Sequence, residues 1–222
     1  MLTAEVVDIL IRSVNGAVNT SMGKFDNEYV LELLPQLRAE AISIIYNGSR
    51  SQGANKTISG QWLQTISLDI VGSEQSSAAE YLVVNIPPTV RINEKTDGLI
   101  YVGRLDEAVD FKRAFTKTEV AYLKQRGFLK GKEVVFIYTG NTLEIYGNKI
   151  LKSFQVQGVF SNPIEVEGFN WYTSEYPVDD ATLAVMKDLF IQRARLEVSQ
   201  VQETVADGAD TLGERTIKAN LQ

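Results

Sequence analysis

Apolar positions recur every three or four residues at both ends of the chain and closer to every second residue through its middle. Near the start, Val7, Leu10, Val14 and Ala17 make one stripe, which predicts a helix from about Thr3 to Asn19. Thr3 is expected as its N-cap, with Glu5 beside the positive helix end. Asp26 is expected to cap a second helix, with Phe25 before it and Val30 four positions inside, the spacing of a hydrophobic staple. That helix has the stripe Val30, Leu33, Leu34, Leu37, Ala41, Ile44 and Ile45 and is expected to end by Asn47-Gly48. Pro35 must either kink it or open a new helix as its first residue, because proline lacks an N–H and crowds the preceding turn. A polar, glycine-containing loop is expected from Ser49 to Lys56.

From Ile58 to Phe160 the period shortens. Trp62, Ile66, Leu68 and Ile70 alternate in part with polar neighbours, as a half-buried strand does. Tyr81 to Ile86 reads as a second strand stopped by Pro87-Pro88, and Val90-Arg91-Ile92 can briefly resume it. Asp97-Gly98 marks a turn before Leu99-Ile100-Tyr101-Val102. Thr116-Lys117-Thr118-Glu119 has capping-box spacing and predicts a short helix ending at Gly127. A three-stranded meander is expected next, turning at Gly140-Asn141 and at Gly147-Asn148. The last helix, capped by Asp179 or Asp180, carries the stripe Leu183, Met186, Phe190, Ala194, Val198, Val201 and Val205, widened by Leu189, Ile191 and Leu196.

This order predicts an α+β fold: a helical bundle formed by the N-terminal helices and the long C-terminal helix, with a mainly antiparallel β insertion in the middle. Residues 1–57 are the N-terminal part of the bundle, and 58–168 the β-rich insertion with one short helix. Residues 169–203 are the helix that completes the bundle, and 204–222 an extended C-terminal arm with too little apolar surface to fold alone.

The chain has 222 residues, 44% apolar and 23% charged, enough for a sizeable core. It contains neither histidine nor cysteine. That removes the usual near-neutral general base and the strongest side-chain nucleophile, and with them the common triads, thiol chemistry and nearly every zinc site. A net charge of −6 disfavours broad attachment to phosphate backbones. No apolar run approaches the ~20 residues that cross a bilayer, and the start lacks a basic signal region. A protein folded in a cytoplasm, with no membrane partner, is expected.

Beside Lys and Tyr, carboxylates are the remaining candidates for acid–base work: Asp106-Glu107 with Asp110, Asp179-Asp180, and Glu165 with Glu167. A helix cap explains Asp179-Asp180, and solvated loops explain the others. Asp207-Gly208-Ala209-Asp210 matches half of a calcium loop, but Lys218 stands where the bidentate Glu belongs. Gly98-x4-Gly103 runs into Arg104-Leu105, so it is not a phosphate-binding loop. No catalytic residue, metal or cofactor is expected. Lys112-Arg113 and Lys124-Gln125-Arg126, followed by Lys130 and Lys132, can make a small positive patch, a solvated helix face being the simpler reading. Trp62, Trp171 and Tyr172 can stack on sugars, which keeps a surface module recognising a glycan or protein receptor as the alternative function.

Five stretches carry a family likeness: 34–42 (Leu34-Pro35-Gln36-Leu37-Arg38-Ala39-Glu40-Ala41-Ile42), Asn85-Ile86-Pro87-Pro88, 97–103 (Asp97-Gly98-Leu99-Ile100-Tyr101-Val102-Gly103), Phe111-Lys112-Arg113, and Glu175-Tyr176-Pro177-Val178-Asp179 before a long helix. In this order they resemble the head-to-tail connector, or neck ring, proteins of short-tailed bacteriophages, those of crAss-like phages especially. The resemblance spans most of the chain as an ordered set of short motifs. It implies a structural virion protein without enzymatic activity, forming a twelve-fold homo-oligomeric ring beneath the portal. The implied partners are further copies of the chain, the portal protein, the next neck or tail ring protein, and genomic DNA that passes without sequence-specific binding. A ring of twelve such chains would carry roughly −72, repelling the phosphates that slide through it. Within residues 204–222 the resemblance makes Leu212, Arg215, Ile217, Lys218 and Leu221 the candidate docking arm, apolar anchors and charges suited to folding on a partner.

Overall fold

The computed structural model of the chain describes residues 1–17, 25–51, 58–69, 81–92, 97–104, 109–130, 133–147 and 153–197. Its helices are α1 (Thr3–Ala17), α2 (Asn27–Ser51), α3 (Lys117–Gln125) and α4, residues 180–197. The stripes predicted at the two chain ends meet. Val6, Val7, Leu10 and Val14 of α1, Val30, Leu34, Leu37 and Ala41 of α2, and Leu183, Met186, Phe190 and Ala194 of α4 form one buried cluster. Each large aliphatic or aromatic side chain in it contributes about 1.5–3 kcal/mol by leaving water.

Local signals set most helix ends. Asp26 caps α2, its Oδ1 accepting from Tyr29 N at 2.7 Å, and Phe25 before it packs against Phe190 with ring centroids 5.6 Å apart. At α1 the expectation of a Thr3 cap is corrected. Leu2 N–H donates to Glu5 Oε2 at 2.8 Å and Val6 N–H to Leu2 O at 3.1 Å, so Leu2 occupies the cap position. Thr3 lies inside the helix, its hydroxyl buried without a partner. A bridge between Leu2 and Glu175 and a bond from Tyr176 N to Met1 O hold the chain extended up to Leu2 and set the helix start.

α2 runs through Pro35 as one helix and past Gly48 to Ser51. Losing one backbone bond at proline costs about 3 kcal/mol. Buried residues on both sides of Pro35, Leu34 and Leu37 next to it, offset that loss. Gly48 has no positive φ and does not stop the helix.

Among the described residues, eight strands build two sheets: β1 (Gln64–Asp69), β2 (Tyr81–Asn85), β3 (Leu99–Arg104), β4 (Val109–Asp110), β5 (Lys112–Arg113), β6 (Val135–Thr139), β7 (Thr142–Tyr146) and β8 (Ser153–Gly158). The orders are β1-β8-β3-β4 and β2-β7-β6-β5, antiparallel except for the β5–β6 pair. The two sheets share a core, with Ile66, Val102, Phe154 and Val156 from the first against Phe136, Leu143 and Ile145 from the second. Trp62 lies in a 3-10 turn (Gly60–Trp62) ahead of β1 and not in a strand.

The expected three-stranded meander is half correct. β6 and β7 pair around Gly140, at φ 69, but β8 crosses to the other sheet and lies between β1 and β3. β2 takes the place beside β7, where Tyr81 stacks on Tyr146 at 5.0 Å. Alternation fixes which face of a strand is buried; it does not choose the neighbouring strand.

α3 covers the second sheet, Val120 and Leu123 packing on Ala114, Val135 and Ile137. Half of the expected capping box forms, Glu119 N donating to Thr116 Oγ1 at 3.1 Å, while Glu119 Oε2 accepts from Phe115 N at 3.0 Å, one residue before the cap. Among the described residues, no helix is long and apolar enough to cross a membrane. Leu212, Arg215, Ile217, Lys218 and Leu221 lie outside the described residues, as does all of 204–222.

Candidate functional site

α2 serves two cores. Leu34, Leu37 and Ala41 face the bundle, while Ile42 and Tyr46 pack with Trp62, Val90, Ile92 and Val159 of the β region. Between these stripes stands Arg38, fully buried. Its Nε donates to Pro177 O at 2.8 Å, one terminal nitrogen to Phe160 O at 2.8 Å, and the other to Trp62 O at 2.9 Å. The three carbonyls belong to the segment before α4, the exit of β8 and the turn before β1.

The planar guanidinium fork presents donors in several fixed directions, which one ammonium cannot do. Desolvating such an ion costs several kcal/mol, so its burial depends on all three acceptors being in place. Burial pulls Arg38 down to about 10, with Tyr176 nearby opposing the shift, so it stays charged at neutral pH. Tyr176 is buried beside it with no partner for its hydroxyl, and burial raises its own pKa.

A polar relay adjoins this junction. Trp62 is 2% exposed and donates from Nε1 to Thr182 Oγ1 at 2.9 Å. Thr182 in turn donates to Asp179 Oδ1, from its backbone N at 2.8 Å and from Oγ1 at 2.6 Å. Asp179 is thus the cap of α4, and Asp180 stands exposed at the first helical position. Burial alone would raise the Asp179 carboxyl; hydrogen bonds from Thr182, Ser59 and Trp62 together hold it below its ordinary value. A carboxylate held ionised in this way donates no proton near neutral pH. It offers negative charge and lone pairs instead.

A cleft of about 450 Å³ opens beside the relay, lined by Met1, Gly60, Gln64, Glu175, Asp179 and Asp180 among others. The Met1 ammonium lies 3.7 Å from Glu175. Of the other candidate carboxylates, Glu165, Glu167 and Asp110 are exposed elsewhere, and Asp106-Glu107 lie outside the described residues. Among the described residues, no group of three His, Cys, Asp or Glu side chains could hold a metal ion.

The three aromatics considered for sugar stacking do not form a platform. Trp62 is core, while Trp171 is half-buried and packs edge-on to the exposed Tyr172 at 5.9 Å. The basic residues near α3 also differ from a plain solvated face, because they lie over aromatic rings. Arg113 sits 5.2 Å from the Phe115 ring and 5.8 Å from Tyr138, Arg126 lies 4.6 Å from Tyr122, and Lys112 lies 5.0 Å from Phe128. Phe115 is 73% exposed and Tyr122 49%. Compared with known proteins, the chain matches no family model and no curated protein sequence.

Proposed function

We propose that the chain is a structural virion protein, one subunit of the head-to-tail connector ring of a short-tailed bacteriophage. It docks on the portal, links it to the tail and leaves a channel for DNA. The supporting observation is the Arg38 junction, where most of the stretches that carry the family likeness come together. Arg38 belongs to the stretch 34–42, and its acceptor Pro177 to Glu175–Asp179. Ser161 N donates to Pro88 O at 2.7 Å, and Val159 N to Gly98 O at 2.8 Å, bringing two more stretches to the segment that includes Phe160. A Cβ on Gly98 would stand 2.7 Å from Val159 O, so glycine is what permits this close approach.

These contacts fix the bundle to the β region at several points. A subunit that transmits register from one ring to the next needs that kind of joint. The function is assembly: copies pack side by side, one end grips the portal, and the other meets the next ring of the neck. Quantitative mass spectrometry of purified, cross-linked particles tests this. The account expects about twelve copies per portal ring, cross-linked to portal protein. Particles lacking the chain would refute it.

A further inference from the structure

Residues 112–132 hold seven of the 22 Lys and Arg side chains and one of the 28 Asp and Glu. This stretch is therefore strongly basic in a chain that is acidic overall. Its described part runs from β5 through α3 and carries two exposed rings each beside a cation, Phe115 with Arg113 and Tyr122 with Arg126. Exposed aromatics interleaved with arginine have the composition of a protein interface centre.

We propose that this face docks against the carboxylate-lined cleft beside the Arg38 junction on a second copy of the chain. The inference rests on the ring reading and supplies its subunit contact. Charge selects the occupant. The cleft brings Glu175, 85% exposed and 3.7 Å from the Met1 ammonium, together with Asp180 and the cap carboxylate Asp179, so three acidic groups face one cation and the cleft stays opposite in sign to the α3 face. Size agrees as well, since about 450 Å³ admits an aromatic ring and a guanidinium together, as Tyr122 and Arg126 present them.

The two surfaces belong to different parts of the fold. α3 lies on the second sheet, and the cleft lies where α4 meets the turn before β1. A contact between unlike patches is heterologous, and repeated through a closing rotation it generates a ring. A phosphate ligand fits less well. Arg113 is already paired with Asp97, and Lys117 with Glu144 at 3.1 Å, so these two cations serve neither partner, and what the face adds is exposed Phe115 and Tyr122, which a protein can cover and a phosphate cannot. Phosphate tracking relies on cations that face outward and release counterions.

The test uses two charge reversals in the full chain, Lys124→Glu with Arg126→Glu on α3, and Glu175→Lys with Asp180→Lys at the cleft. Self-association is followed by sedimentation at low and moderate salt. The wild type is expected to form a closed oligomer that weakens with salt, and each reversal to lose about tenfold or more in self-affinity. Mixing the two reversed proteins restores assembly, a rescue that misfolded copies could not give. Wild-type assembly left unchanged by both reversals overturns this contact and leaves the ring reading standing. A wild type that stays monomeric, alone and with portal, overturns both. Binding of a DNA duplex that is lost on the α3 reversal, with assembly intact, assigns the face to phosphate and also overturns the contact.

Discussion

Arg38 on α2 and Pro177 ahead of α4 stand 139 positions apart in the chain, joined by a 2.8 Å hydrogen bond from the arginine Nε to the proline carbonyl. The same guanidinium serves Phe160 and Trp62, so removing it strips donors from three buried carbonyls at once. Leaving a buried acceptor unsatisfied costs about 1–3 kcal/mol. Arg38→Met is therefore expected to lower stability by about 3 kcal/mol or more in denaturant unfolding. Arg38→Lys keeps the charge without the fork and recovers only part of the loss. A change below about 0.5 kcal/mol for Arg38→Met would show that the junction does not hold the fold together.

Trp62 and Thr182 supply a second tie. Trp62→Phe keeps most of the ring but leaves the relay without its indole donor, an expected cost of about 1–2 kcal/mol. Fluorescence separates the two tryptophans. Trp171→Phe leaves emission from buried Trp62 that a soluble quencher barely reaches, whereas Trp62→Phe leaves emission that it reaches readily. Equal quenching in both variants would contradict the burial of Trp62.

Asp179 gives the fold a pH dependence. Its folded carboxyl lies below the ordinary value, so the stability it contributes is complete above the unfolded value of about 3.9 and is lost as pH falls through the folded one. Asp179→Asn, which can still cap but loses the charge at the helix start, is expected to cost about 0.3–1 kcal/mol at pH 7. The gap to wild type narrows as pH drops below about 3.9. Unfolding curves at both ends of this range check it, and a gap that does not change with pH would count against the cap.

The C-terminal arm is separable from the fold in this account. A chain ending after Ala206 keeps α1, α2 and α4 as described and is expected to unfold as the full chain does. It is expected to lose portal binding, because Leu212, Arg215, Ile217, Lys218 and Leu221 are gone. Portal capture by the truncated chain equal to that of the full chain would remove the arm from the mechanism.

Much of the architecture was legible in the sequence because helix periodicity and caps are local. Leu183, Met186, Phe190 and Ala194 announce a buried face whatever they pack against. Strand alternation is weaker, and β8 shows the limit: its pattern places Phe154 and Val156 inward but cannot say that β1 and β3 flank it. The Arg38 junction was missed because a charged side chain on a helix reads as solvent-facing. One signal was present: Arg38 lies four residues after Leu34 and four before Ile42, between two sets of apolar positions on the same helix. At α3, Tyr122 four positions before Arg126 likewise announced a ring under a cation.

The most direct measurement is the mass of the full chain in native solution, alone and mixed with the portal protein of the same virus. The account predicts a closed oligomer, formed alone or on the portal, whose mass gives a whole number of subunits. A chain that remains monomeric and ignores the portal would contradict it.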